Sequence, residues 1–455
     1  MEDPAVSVLV PTANRHRYIG ETVRQFLEQD FGGAMELLLH DSTPRPYPFE
    51  LPESTGQRRI TYVHQPNIVT LGAKRNALNS LAKGAFVVCM DDDDVYYPTY
   101  VAECVRALRE HAHPENNPVV ARQYETLLYN ALTNQFRIMK RKHPGGCVNS
   151  AMAYGSAFLK SHKYCNDDRI SEERRFTSNF TARVCDLRIE RVGIHVIHAQ
   201  NTGNKENKGT PLAEPPSRFD RSFLERVHAA VPRVYWINLD GRKDRYRAFL
   251  NRCAHYLQHR VSAVSKPEEV AFDDSKCSIR EIACFLSHIK AMRTYLRNET
   301  DKSPFAVICE DDLIVRNQKL FYEQIFYYRH TAPEDWEILQ LHRISINRQE
   351  HYGRALGWSE WTNRMFSTAI YLIRREAASR LVETFSNLRD LRHLGRVVAD
   401  NTIYSHARTY SADLPYFVTD HRSPSDINTR HYRNQQQNNA HIKSSSSRSC
   451  YPFGS

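Results

Sequence analysis

Two short runs of carboxylates are the residues best placed to do chemistry: Asp91-Asp92-Asp93-Asp94 and Glu310-Asp311-Asp312. Adjacent carboxylates repel one another, and such a cluster at the end of a buried element calls for a cation to neutralise it. Donor sets made of oxygen alone suit Mg²⁺ or Mn²⁺. A calcium loop does not fit, because it needs Asp or Asn at its fifth position and Gly at its sixth, and counting from Asp91 those are Val95 and Tyr96. A solvated acidic turn is the plain alternative for either run taken alone.

Both runs follow the same kind of element. Ala85-Phe86-Val87-Val88-Cys89-Met90 and Phe305-Ala306-Val307-Ile308-Cys309 are short apolar stretches rich in β-branched residues, which predicts two buried strands, each ending in carboxylates. Upstream of the first, Val6 to Val10 reads as a strand stopping at Pro11-Thr12, Tyr18 to Gln29 as a helix, and Met35 to Leu39 as a strand ending at Asp41. Strand Ile60 to Val63 and a helix near Ala73 to Ala82 complete the lead-in. Upstream of the second, Val234 to Leu239 predicts a strand followed by the polar loop Asp240 to Arg245, and Ile279 to Tyr295 a helix with His288 near its middle. In open α/β sheets ligands bind at the carboxyl ends of the strands, which puts both clusters on such a rim. Two strand-to-carboxylate junctions imply two related nucleotide-diphosphate sites, one per domain.

The chain has 455 residues, more than one core usually organises. Hydrophobic residues make up 41% and charged residues 25%, the balance of a globular protein and neither a disordered nor a membrane chain. The polar stretch 201–217 places the cut near residue 220, giving domains 1–220 and 221–428 and an Asn/Gln/Ser-rich tail, 429–455, expected to be disordered. No apolar run reaches membrane-spanning length, and Met1-Glu2-Asp3-Pro4 does not resemble a secretory signal, so a cytoplasmic location is expected. The ten cysteines include no C-x-x-C pair, which argues against a zinc site or redox motif, and Cys89, Cys284 and Cys309 read as small core residues kept reduced. A net charge of +10 is spread along the chain without a nucleic-acid-binding module, so phosphate-bearing small molecules are the expected anions, and no nucleic acid.

With these residues in view, the first half resembles glycosyltransferase family 2, of the GT-A fold. The resemblance rests on Val8-Leu9-Val10-Pro11-Thr12-Ala13-Asn14-Arg15, Asp41-Ser42, Leu71-Gly72-Ala73-Lys74-Arg75-Asn76 and Met90 to Asp94 with Pro98. It implies that Pro11, Thr12, Arg15, Asp41, Lys74, Arg75, Asp91 and Asp92 hold the nucleotide sugar, that Asp93 binds a divalent metal and that His198 helps hold the diphosphate and metal. It also implies that Glu172-Glu173 is the acidic pair from which a carboxylate deprotonates the acceptor hydroxyl; the usual second residue is Asp, and Glu173 departs from that.

The second half is similar to glycosyltransferase family 25, through Ile237-Asn238-Leu239 with Arg242, Asp244 and Arg245, Glu281 to His288, Glu310-Asp311-Asp312, Asp400 and Ser425-Asp426-Ile427. Arg280 stands where the family more often has Gly. By this resemblance Asn238, Arg242, Arg245, His288, Glu310 and Asp311 hold the donor, Asp312 binds metal and Asp400 is catalytic. The implied whole is a pair of GT-A domains, α/β with mixed sheets flanked by helices, each using Mn²⁺ or Mg²⁺ to move a hexose from a nucleotide sugar, UDP-linked by default, to a glycan or glycoprotein hydroxyl. Competing readings are one catalytic half beside a degenerate nucleotide- or glycan-binding scaffold, a metal-dependent phosphohydrolase or nuclease, and a glycan-binding protein without turnover.

Overall fold

The structure, a computed structural model, describes residues 4–111, 119–131, 133–198, 201, 209–214, 216, 221–253, 256–267, 270–315, 317–345, 357–386, 390–413 and 416–420. The chain divides into two compact units between Phe223 and Leu224. The polar tail and Ser425-Asp426-Ile427 lie outside the described residues.

In the first unit Val6–Thr12, Met35–Asp41 and Arg58–His64 pair in parallel in that order, and Phe86–Cys89 joins the other side of Val6–Thr12. The chain thus reverses its direction of travel across the sheet between Val6–Thr12 and Phe86–Cys89, and their carboxyl ends open a crevice. Met152–Gly155 is antiparallel to both its neighbours, Phe86–Cys89 and Val119–Arg122, and Arg183–Asp186 closes the edge.

Period-two alternation decides which residues face which layer. Val6, Val8 and Val10 pack with Ile19, Val23 and Phe26 of the helix His16–Leu27, while Leu9, Val87 and Cys89 face the other layer with Leu78 of the helix Leu71–Leu81. Each such buried side chain contributes about 1.5–3 kcal/mol. Every residue of Val6–Thr12 is buried, as a central parallel strand requires.

The strand runs through Pro11 and Thr12 instead of stopping before them. Leu9, two residues earlier and therefore turned the same way, accepts from the Met90 amide, the last rung on that side. Pro11 faces the side where pairing has ended, so its missing N–H removes no bond. At the start of Leu71–Leu81, Gly72 is required by close approach: a Cβ there would lie 1.9 Å from the Cys165 carbonyl oxygen. That contact sets the helix which presents Lys74 and Arg75. A second sheet, with order Thr210–Pro211, Gln135–Lys140, Glu125–Asn130, Gly193–Ile197 and Val95–Tyr96, carries His195 and leads to His198.

The second unit starts the same way. Val234–Asn238 lies between Gln258–Ser262 and Phe305–Glu310, parallel to both, and Ile370–Arg374, Ile338–Gln340, Thr409–Ala412 and Trp358–Glu360 extend the sheet. The helix Ile279–Arg297 is nucleated by a capping box: the Ser278 hydroxyl accepts from the Glu281 amide while the Glu281 carboxylate accepts from the Ser278 amide. Its Ile282, Phe285, Ile289 and Met292 enter the core, which turns Cys284 and His288 toward the end of Phe305–Glu310. Trp236 stacks on Phe249 at 4.2 Å and fixes the helix Lys243–Cys253 that carries Arg245. No described helix is long and apolar enough to cross a membrane.

Candidate active sites

In the first unit, the turn after Phe86–Cys89 brings the four aspartates against the end of Val6–Thr12. The Thr12 hydroxyl donates to Asp92 at 2.5 Å, and Arg15 Nη1 lies 3.0 Å from Asp92 Oδ1 and 2.8 Å from Asp93 Oδ2. His198 Nε2 is 3.0 Å from the same Asp93 oxygen, and Asn201 Nδ2 approaches it at 3.4 Å. Asp94 is held by His195 Nδ1 at 2.7 Å and by the Val196 amide at 2.9 Å. Burial raises Asp92 to about 6, Arg15 opposing it; burial acts on Asp93 in the same direction, but Arg15 and His198 outweigh it and hold Asp93 below the usual carboxylate range. The negative charge therefore concentrates on Asp93, beside His198, whose own pKa burial lowers so that the imidazole stays neutral. Asp91, Asp93 and Asp94 each offer an oxygen within 4.8 Å of the others, and oxygens with a neutral imidazole nearby are a donor set that fits Mg²⁺ or Mn²⁺.

Arg75 links this turn to the acidic pair. Its Nη2 donates to Asp91 at 3.0 Å and its Nε to Glu172 at 2.7 Å, and Asn149 donates to Glu172 at 2.8 Å. Glu172 is thus tied down and buried, whereas Glu173 is partly exposed and receives only a 3.3 Å contact from Asn149 among these groups. Burial, with Glu172 beside it, pushes Glu173 up to about 7, the range a general base needs. Lys74, lowered to about 8 by burial, donates to the Thr12 carbonyl at 3.0 Å. Asp41 does not open to the crevice. It is fully buried, and its oxygens accept from Thr43 at 2.5 Å and Tyr62 at 2.5 Å and contact His16 at 2.7 Å, so it braces the loops behind Thr12.

In the second unit a cavity of 540 Å³ collects Arg245, Cys284, His288, Glu310, Asp311, Asp312 and Asp400. Asn238 Nδ2 and Arg245 Nη1 donate to the two oxygens of Asp311 at 2.7 and 3.0 Å. Arg242 instead pairs with Asp244 in the first turn of the following helix, at 3.0 and 2.9 Å, and is not among the cavity-lining residues. Asp312 is nearly buried, its Oδ1 has no hydrogen-bond partner, and burial with Glu310 nearby pushes it up to about 8. An orphaned buried carboxylate oxygen on a residue that lines this cavity fits a hard divalent cation. Asp400 accepts from the Ser367 and Asn401 amides at 2.9 and 2.8 Å, and burial raises its pKa. Ser367 itself has φ 113°, in the left-handed region, held there by hydrogen bonds to its amide, its hydroxyl and its carbonyl.

Four residues at these sites were not singled out from sequence: His195, Asn149, Ser367 and Thr368, whose hydroxyl donates to Glu310 at 2.7 Å. Cys284, expected as a small core residue, is partly buried: it packs against the core of the second unit and also lines the cavity. Its one-turn spacing from His288 was the signal available.

Two family models match this chain: glycosyl transferase family 2 over residues 7–156, and glycosyltransferase family 25 (LPS biosynthesis protein) over residues 232–403. They fall in the expected order, and they define the chain as one of glycosyltransferase class, with a segment of each family in tandem. Two curated relatives align with part of it. WcaA of Escherichia coli (strain K12), provisionally named a colanic acid biosynthesis glycosyl transferase, is 29% identical over 97 residues, 21% of this chain and 35% of that protein. EpsH of Bacillus subtilis (strain 168), provisionally named a glycosyltransferase, is 31% identical over 108 residues, 23% of this chain and 31% of that protein. The chain spans about a third of the length of these relatives. Among solved structures, S. aureus TarS 1–349 aligns at TM-score 0.34 and 18% identity, covering 42% of this chain and 60% of that one. The mannosyltransferase PcManGT from Pyrobaculum calidifontis, in complex with GDP-Man and Mn²⁺, aligns at TM-score 0.31 and 16% identity, covering 45% and 59%.

Proposed function

We propose that both units are metal-dependent hexosyltransferases, each taking its sugar from a nucleotide-sugar donor, UDP-linked in the first instance, and passing it to a hydroxyl of a glycan or glycoprotein. The observation that carries this reading is the repeated junction: in each unit a strand paired in parallel with the first strand of its sheet ends in carboxylates, and an arginine from just beyond that first strand lies against them, Arg15 after Val6–Thr12 on Asp92 and Asp93 and Arg245 after Val234–Asn238 on Asp311. We take residues 1–220 and 221–428 as the two catalytic domains.

In the first domain Asp93 and His198 would hold the cation, with Asp91, Asp92, Thr12, Arg15, Lys74 and Arg75 around the donor. In the second Asp312 would hold it, with Glu310, Asp311, Asn238, Arg245 and His288 around the donor and Asp400 serving catalysis. A divalent cation, when bound, supplies neutralisation of the leaving diphosphate. The protein's own part is to place donor and acceptor and to manage the proton. Glu173, free of the bonds that fix Glu172, takes the proton of the attacking hydroxyl, and Arg75 keeps the pair in register with Asp91. A single displacement with one base inverts the anomeric centre. A reducing, cytoplasmic setting suits thiols packed into the cores, as Cys89, Cys104 and Cys309 are.

The second reading, one active domain beside a nucleotide- or glycan-binding scaffold, draws on the ion pairs of Arg15 and the contact of His198, which already offset charge on Asp92 and Asp93. Calorimetry of UDP on the full chain, with and without Mn²⁺, followed by a screen of nucleotide sugars for slow hydrolysis, tests the proposal. Cation-dependent UDP binding at two sites is expected. Equal affinity with and without Mn²⁺ at both sites would overturn it.

A further inference from the structure

Cys284 and His288 sit one turn apart on the same face of the helix Ile279–Arg297, and that face looks onto Glu310 at the end of its strand. A thiol, an imidazole and a carboxylate each offer a ligand atom here, all within 4.8 Å of one another. The imidazole is oriented from behind: His288 Nδ1 lies 3.2 Å from the Tyr371 hydroxyl, which aims Nε2 at Glu310. His288 is fully buried, yet Nε2 has no hydrogen-bond partner, and its distance to Glu310 Oε1 is 3.6 Å. That is too long for a hydrogen bond. It is the spacing of two ligands on one ion, since bonds of about 2.0–2.3 Å in a tetrahedron put ligand atoms about 3.3–3.8 Å apart.

We propose that Cys284, His288 and Glu310 form a three-ligand site for a borderline-soft divalent cation, zinc by its chemistry, with the fourth position open to the 540 Å³ cavity. The donor set separates this site from the oxygen-only sites expected for Mg²⁺ or Mn²⁺, because thiolate and imidazole favour zinc or cobalt. Outer partners are in place: Tyr371 fixes the ring, and the Thr368 hydroxyl donates to Glu310 at 2.7 Å. Burial and the nearby Glu310 keep the Cys284 thiol protonated without a cation, so binding breaks the S–H bond, forms a sulfur–metal bond and releases one proton to solvent. The absence of C-x-x-C pairs excludes only sites that draw two cysteines from one turn; this one draws one cysteine and one histidine from a single helix face. His288 and Glu310 also stand among the groups that the transferase reading places around the donor; the titration below uses no donor and reads the metal site whether or not that reading holds.

The test is a titration of the full chain, stripped with chelator, with Co²⁺. A near-ultraviolet thiolate-to-cobalt charge-transfer band should grow to one equivalent, vanish on adding equimolar Zn²⁺, and persist in a hundredfold excess of Mg²⁺. Cys284→Ser should lose the band while keeping the wild-type circular dichroism, and Tyr371→Phe should weaken Zn²⁺ binding by roughly tenfold. If Cys284→Ser does not fold, His288→Gln gives the same reading from the other ligand. No band in the wild-type protein, or a band that survives loss of Cys284 or His288, would overturn the site.

Discussion

The turn Asp91 to Asp94 and the junction Glu310 to Asp312 occupy corresponding places in two sheets that begin alike, yet they meet their charge differently. In the first unit each carboxylate meets a resident group: Arg75 on Asp91, Thr12 and Arg15 on Asp92, Arg15 and His198 on one oxygen of Asp93, His195 and an amide on Asp94. In the second, Asn238 and Arg245 answer Asp311, while Asp312 Oδ1 and His288 Nε2 stay without hydrogen bonds beside a cavity. A site that neutralises itself is organised before ligand arrives and gains less from a cation. A site with orphaned buried atoms depends on what fills it. The second unit should therefore be the more cation-sensitive of the two.

The hardest test of this pairing is to remove one charge from each site. Asp93→Asn and Asp312→Asn should each lower one transfer or donor-hydrolysis activity by about a hundredfold or more, and should spare the other. Assays run sugar by sugar, with circular dichroism as the folding control, read the cross pattern. Loss of every activity in either variant would refute two separate catalysts, and an unchanged variant would mark its unit as the scaffold.

Next in size is the response to pH. Because Glu173 is held near 7 by burial and Glu172, it is protonated below that pH and cannot accept a proton. Activity of the first unit should fall about tenfold per pH unit below about 7 and level off above it. Glu173→Gln should remove the pH-dependent part; a profile in the variant that still bends at the same pH would assign it to another group.

A smaller effect sharpens the contrast in neutralisation. Mn²⁺ should strengthen UDP binding more in the Asp93→Asn chain, which reports the second unit, than in the Asp312→Asn chain, which reports the first. Adding Arg15→Gln to the latter should raise its Mn²⁺ dependence by about tenfold, the worth of roughly one ion pair. Calorimetry gives both numbers, and equal enhancement in all three chains would erase the distinction.

The smallest effect concerns how each unit starts its helices. No side chain caps His16–Leu27, Leu71–Leu81 or Tyr100–Glu110, whereas Ile279–Arg297 has a full capping box. Ser278→Ala should cost about 1 kcal/mol, a drop of about 2–4 °C in melting temperature for a unit of this size, read by calorimetry.

What could be read from the chain alone was whatever wrote itself into consecutive residues. The apolar runs before Asp91 and Glu310 announced buried strands, and the helix around Cys284 and His288 showed its period. The second sheet of the first unit was not legible, because Gln135–Lys140 is short, buries only Phe136 and carries three polar or charged residues on accessible positions. His195 and Ser367 were invisible for a different reason. One meets Asp94 only through the antiparallel pairing of Gly193–Ile197 with Val95–Tyr96, strands far apart in sequence, and the other acts through its main chain, whose amide, not its side chain, holds Asp400. Asp41 was expected at the nucleotide sugar by resemblance; the Tyr62 hydroxyl that occupies it comes from the next strand over.

Pro11 sets a boundary that the carboxylates depend on. Had residue 11 an N–H, the ladder between Val6–Thr12 and Phe86–Cys89 could close another rung on the Met90 carbonyl and draw Asp91 and Asp92 into the sheet, their side chains pinned to alternate faces. With no donor there the zipper stops at Met90, the Asp91 amide turns to the Tyr96 hydroxyl at 2.8 Å, and the acidic segment leaves the sheet as a turn. A residue chosen for a bond it cannot make thus keeps four charged side chains gathered on one rim.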